Sequence, residues 1–134
     1  MNGKSSGTPE RCSFPRGTMI FREGDAGNQA YMLQEGTVRI FKVVSGRKVT
    51  IGRAWPFQVF GELSMMDDSP RMASAIADDD CVCLVLDKDA IKTMMDQAPP
   101  GLSTLIHSML STIRAMGKDL ADAKSALLDH GVES

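Results

Sequence analysis

Between residue 14 and about residue 86, apolar positions come in short runs, some continuous and some alternating with polar ones. They are TMIF (18–21), AYMLQ (30–34), TVRIFKVV (37–44), KVTIGRAW (48–55), MASAIA (72–77) and CVCLVL (81–86). In TVRIFKVV, Val38, Ile40 and Lys42 alternate with Thr37, Arg39 and Phe41, the period of a half-buried strand. Ser45-Gly46 followed by RKVTI is a hairpin signal. Gly17, Gly24, Gly27, Gly36, Gly46 and Gly61 fall at or near the junctions. Many short strands at roughly even spacing predict a sandwich or barrel.

The period changes after residue 86. DKDAIKTMMDQ (87–97) opens on Asp87, a good N-cap, and sets Ile91, Met94 and Met95 at helical spacing. Pro99-Pro100-Gly101 is expected to stop it. A longer helix is predicted over about 102–128, with Ile106, Met109, Ile113, Met116, Leu120, Ala123 and Leu127 stepping by three and four as a heptad seam. Leu102, Leu105 and Leu110 add apolar surface near its start. The seam either pairs with a second copy or a partner helix, or folds back over the barrel. Gly117 within it costs about 1 kcal/mol relative to alanine. The domain reading is a disordered lead-in over 1–13, one domain over 14–128 with its helices from about 87, and a flexible tail over 129–134.

Composition narrows the function. The chain has 134 residues, 43% of them hydrophobic and 24% charged, which suits one globular domain. A net charge of −2 provides no basic stripe for phosphate backbones, so no nucleic-acid partner is expected. No apolar run approaches the roughly 20 residues of a membrane span. MNGKSSGTPE lacks the apolar region of a signal peptide. Three cysteines, Cys12, Cys81 and Cys83, fit reduced thiols in a cytoplasmic protein, with Cys81 and Cys83 pointing to one face of a strand.

Catalytic and metal chemistry find no support. His107 and His130, the only histidines, lie in the helical region. A metal-binding barrel needs a His-x-His pair on its strands, and no Ser/His/Asp or Cys/His set can be assembled there. Phosphate-loop and dinucleotide glycine motifs are absent. Asp67-Asp68 and Asp78 to Asp80 read as solvated turn residues. The expectation is a protein that is not an enzyme and holds no metal or cofactor.

The stretch FGELSMMDDSPRMASA (60–75) is different. Phe60-Gly61 closes a strand, and Glu62 to Met66 is long enough for one or two helical turns. A helix opening after glycine exposes backbone N–H groups suited to an anion. Ser69-Pro70 turns the chain back, so Arg71 reaches the same point with a bidentate guanidinium. Glu62 offers an acceptor to hydroxyl groups such as a ribose 2′-OH. The alternative is that Glu62 and Arg71 simply pair with each other and brace the turn.

F-G-E-L-S, a short loop and P-R-M-A-S-A resemble the phosphate-binding cassette of cyclic nucleotide-binding domains, found in catabolite-activator sensors, kinase regulatory subunits and gated channels. The resemblance runs from residue 14 to about 120, through FPRGTMIFREGDAGNQAYMLQEGTVRIFK and DKDAIKTMM. It implies an α+β, mainly β fold: an antiparallel β-roll or jelly-roll barrel with a short phosphate-binding helix and C-terminal helices. It implies that Arg71 grips the cyclic phosphate, Glu62 takes the 2′-OH and Gly61 lets the backbone approach the ribose. Backbone N–H groups of Leu63, Ser64, Met72 and Ala73 complete the cradle. Members preferring cyclic GMP often carry Thr where this chain has Met72, so cyclic AMP is the expected ligand, with cyclic GMP second. AWPFQ (54–58) and Met72 depart from the family pattern, and any cap over the base would be aliphatic or come from Arg114. The implied role is a regulatory module signalling through its helices; the competing reading is a scaffold of the same fold that no longer binds nucleotide.

Overall fold

The structure is a computed structural model describing residues 10–62, 64 and 69–129. Its strands are β1 (Glu10–Phe14), β2 (Met19–Phe21), β3 (Gln29–Glu35), β4 (Val38–Val44), β5 (Arg47–Ala54), β6 (Val59–Phe60), β7 (Ser74–Ala77) and β8 (Cys81–Asp87). Two helices follow, α1 (Lys88–Asp96) and α2 (Pro100–Asp129).

The strands form two antiparallel four-stranded sheets, ordered β1-β8-β3-β6 and β2-β7-β4-β5. Between them lies a core of Tyr31, Leu33, Val38, Ala54, Phe60, Ala75, Ala77, Cys81 and Cys83. The rings of Tyr31 and Phe60 stack 5.3 Å apart, and Phe21 lies 6.2 Å from Phe60. Cys81 and Cys83 are both buried free thiols, as the alternation in CVCLVL requires. Burial pushes the Cys83 thiol up to about 12.

Ser45 (φ 53°) and Gly46 (φ 75°) form the two-residue turn between β4 and β5, both with the positive φ of a type I′ hairpin. Farther down this hairpin the register slips: Ile40 faces Gly52 and Phe41 faces Thr50, which leaves Ile51 as the extra residue of a bulge.

Three details differ from the sequence reading. Residues 10–13, expected in the lead-in, form most of β1, an edge strand whose Cys12 sits opposite Cys83 on β8. Pro100, expected as a stop, is the first residue of α2, where its missing N–H removes no helical hydrogen bond. Asp87 takes the N-cap position of α1 with extended backbone but makes no side-chain capping bond. Leu63, Met65 and Met66 of the expected phosphate-binding helix lie outside the described residues, and Ser64 is helical.

Helix α2 folds along β5 and β4 and also leaves its seam uncovered. Leu110, Ala121 and Ser125 are buried against the barrel. Lys124 Nζ donates to Thr50 O at 3.0 Å, and Arg47 pairs with Asp129 at 2.8 Å. The heptad seam is offset from this face by one residue, about 100° round the helix. Its Met109, Ile113, Met116, Leu120 and Leu127 are exposed. Amphipathic periodicity predicted one apolar stripe; the helix instead docks through Leu110, Ala121 and Ser125 and turns the large residues of the seam outward.

Candidate functional site

A cavity of about 490 Å³ is bounded by β5, β6 and the segment running into β7. Of the residues singled out from sequence, Gly61, Glu62, Ser64, Arg71, Met72 and Ala73 all line it. Leu63 lies outside the described residues. Phe21, Ile40, Ile51, Arg53 and Gln58 line it as well.

Arg71 is only 5% exposed. Its backbone is fixed first: Arg71 N–H donates to Asp25 O and Gly24 N–H donates to Arg71 O, both at 2.8 Å. The guanidinium then donates from Nη1 to Gly61 O at 2.7 Å and from Nη2 to Gln29 O at 2.6 Å. Its Cζ sits 4.0 Å from the centroid of the Phe21 ring, a cation–π contact. Nε is buried, close to Gly27, and has no hydrogen-bond partner among the described residues. Among the described residues no ion pair joins Arg71 to Glu62; the two feel each other only at longer range. Burial pulls the guanidinium pKa below its ordinary value, partly offset by Tyr31, Asp25 and Glu62. Arginine nevertheless stays protonated in proteins. A buried cation held by neutral carbonyls and an aromatic face, with no carboxylate paired to it among the described residues, has the chemistry to suit an anion.

Two glycines make this arrangement possible. Gly61 has φ +80°, and a Cβ there would lie 2.8 Å from Arg71 Nη1 and 3.1 Å from Phe21 Cε2. A Cβ on Gly27 would lie 2.9 Å from both Cζ and Nε of Arg71. Gly27 and Phe21 were not singled out from sequence: in FREGDAGN the glycines read as turn punctuation, and nothing local marks which of them will touch a residue 44 positions on.

At the other end of the cavity the apolar side chains of Ile40, Ile51 and Met72 form the wall, and Met72 and Ile51 lie beside Gly117 of α2. Met72 O accepts a hydrogen bond from Lys42 Nζ, and Lys42 also pairs with Glu23 at 3.3 Å. Arg114 on α2 donates to Pro70 O at 3.3 Å, beside Arg71. A Cβ on Gly117 would overlap Met72 Cε outright and lie 3.8 Å from Ile51 Cδ1. Arg53, also on the wall, pairs with Asp78, which accepts from Arg39 Nη2 at 2.7 Å. Those hydrogen bonds, Arg39 foremost, hold the Asp78 carboxyl below its usual pKa. Trp55 is half exposed and does not line the cavity. It opens a turn in which Gln58 N–H donates to Trp55 O at 3.0 Å and Phe57 takes φ 74°. Among the described residues no group of three or more His, Cys, Asp or Glu side chains is placed to hold a metal ion. No described helix is long and apolar enough to cross a membrane.

Comparison with known proteins places this cavity in context. The family model of the cyclic nucleotide-binding domain matches residues 11–98. A CRP-like cAMP-activated global transcriptional regulator of Mycobacterium tuberculosis is 31% identical over 110 residues, 81% of this chain and 49% of that protein. A cAMP-dependent protein kinase regulatory subunit of Candida albicans is 33% identical over 118 residues, 87% of this chain and 25% of that protein. The chain thus spans half or less of these relatives. Among solved structures, the catabolite activator protein of Thermus thermophilus superposes with a TM-score of 0.63 at 29% identity, covering 90% of this chain and 55% of that one.

Proposed function

The chain belongs to the cyclic nucleotide-binding domain family, and from that premise we propose that it is a regulatory module, not an enzyme, that senses cyclic AMP and responds less to cyclic GMP. The observation that carries this reading is Arg71: buried, positively charged and lining a cavity that also presents Glu62, with which it forms no ion pair. In the proposed complex Arg71 takes the exocyclic phosphate oxygens and Glu62 accepts from the ribose 2′-OH. The backbone N–H groups of Leu63, Ser64, Met72 and Ala73 are assigned to the rest of the anion. The apolar end, with Ile40, Ile51 and Met72, takes the base, and it carries no threonine hydroxyl of the kind that favours guanine. Relatives named as cAMP-activated and cAMP-dependent support the choice of nucleotide.

Signalling is assigned to α1 and α2. A ligand shifts a helix only by binding one of its positions more tightly than the other. The outward seam of α2 offers a surface for a second copy or a partner helix, and the free thiols fit a cytoplasmic setting. The same seam also favours the alternative reading, a scaffold whose contacts need no nucleotide. Thermal melting separates the two. Cyclic AMP at a hundredfold above its Kd stabilises the chain by about 2.7 kcal/mol, with a smaller effect from cyclic GMP at equal concentration. A melt unmoved by either nucleotide at millimolar concentration rejects sensing and leaves the scaffold.

A further inference from the structure

Met72 and Gly117 are each odd in isolation. One is a long flexible side chain beside the phosphate-gripping arginine; the other is a glycine inside a 30-residue helix. The structure pairs them. The methyl end of Met72 occupies the space that a side chain at Gly117 would fill, with its Sδ 3.9 Å from that position. Ile51 closes the adjacent side at 3.8 Å, and it is the bulged residue of β5, so its side chain is aimed by a local break in register. Met72 and Ile51 both line the cavity.

We propose that Met72 seated in the Gly117 notch is the joint that couples the cavity to α2 and sets the cavity's capacity, an inference that rests on the cyclic nucleotide reading of the same site. Methionine has three rotatable side-chain bonds and adapts to irregular space. When its end lies in the notch, the cavity is open and α2 lies close against β5. When the notch is lost, two coupled rearrangements relieve the overlap. Met72 swings into the cavity and takes room from the nucleotide, and α2, no longer seated on that side chain, loosens from the barrel. A nucleotide filling the apolar end pins Met72 in the notch and thereby holds α2 down. The backbone of Met72 is fixed by Lys42, and Arg71 precedes it directly, so the grip on the phosphate and the docking of the helix share one stretch of chain.

The test is a double-mutant cycle in the full chain with Gly117→Ala, Met72→Ala and both together. Alanine is the better helix former, so Gly117→Ala folds. Calorimetric titration is expected to show cyclic AMP binding weakened at least tenfold in Gly117→Ala. Binding in the double variant should return to within threefold of Met72→Ala. Amide hydrogen exchange without nucleotide is expected to be faster over 110–125 in Gly117→Ala and slow again in the double variant. Gly117→Ala binding as tightly as the parent, or a double variant that fails to recover, overturns the joint. If the parent itself binds no cyclic nucleotide, the sensing reading fails separately. Hydrogen exchange then decides the joint: acceleration reversed in the double variant upholds it, and unchanged exchange rejects it.

Discussion

At the Arg71 end of the cavity the backbone sets nearly every position. Loop residues Gly24 and Asp25 clamp the arginine from both sides, carbonyls of Gly61 and Gln29 hold its guanidinium, and Phe21 lies beneath it. At the Met72 end the wall is made of flexible or bulged side chains, Met72 and Ile51, resting on a helix notch. The first end is organised before a ligand arrives, which lowers the ordering cost of binding. The second is built around an adaptable methionine, and it is the end that lies beside the helix. On the proposed reading, the contrast divides capture from response along one cavity, assigning affinity for the anion to the rigid part and the signal to the adaptable part.

The hardest blow to the rigid end is Arg71→Ala. It removes the anion partner and also leaves the half-buried Gly61 and Gln29 carbonyls without their donor. Cyclic AMP binding is expected to fall more than a hundredfold, and urea denaturation should show a loss of about 3 kcal/mol. Arg71→Lys keeps the charge but loses the fork; its stability falls less, while affinity still drops at least tenfold.

Glu62→Ala separates binding from folding. Glu62 makes no ion pair with Arg71, so stability is expected to stay within about 0.5 kcal/mol of the parent. Titration should show affinity for cyclic AMP falling about tenfold to a hundredfold, the worth of a hydrogen bond to a charged group. The 2′-deoxy analogue, weak for the parent, should bind Glu62→Ala about as well as cyclic AMP does. Continued discrimination between the two would remove Glu62 from the ribose.

Away from both ends, Asp78 braces Arg53 on the wall and Arg39 on β4. Asp78→Asn is expected to cost about 1 kcal/mol, the scale of a partly exposed ion pair. Because the folded-state pKa of Asp78 is lowered, its contribution is present above the unfolded carboxylate value of 3.8 and is lost as pH falls below it. Acid unfolding curves of parent and variant should therefore converge at low pH.

A smaller effect comes from the core, far from either end. The Cys83 thiol is pushed up from 9.0 to about 12, so the unfolded chain releases that proton first as pH rises. Stability should decline between about pH 9 and 12, and Cys83→Ala should lessen that decline after allowance for its cavity.

Much of the rigid end was legible in the sequence, because its chemistry is written in residue types within one short stretch, from Gly61 to Ala73. The roll of strands was legible from alternation wherever runs were long. Strand β1 was not, because ERCSF offers only Cys12 and Phe14 as apolar positions, and β6 is two residues long. Gly27 under Arg71 and Gly117 against Met72 were hidden for a different reason. Each is a close approach between positions more than 40 residues apart, and a glycine's local sequence does not say what it makes room for. Periodicity likewise found the apolar stripe of α2 but could not say which face the barrel would cover.

The central claim is that the Arg71 guanidinium receives the phosphate of a cyclic nucleotide. Nitrogen-15 NMR of the Arg71 side chain reads it directly, with the Nε–H signal assigned by its loss in Arg71→Lys. On titration with cyclic AMP that proton should shift strongly downfield and become protected from solvent exchange, saturating together with the calorimetric isotherm. A signal that stays in place while cyclic AMP saturates the protein would contradict the account.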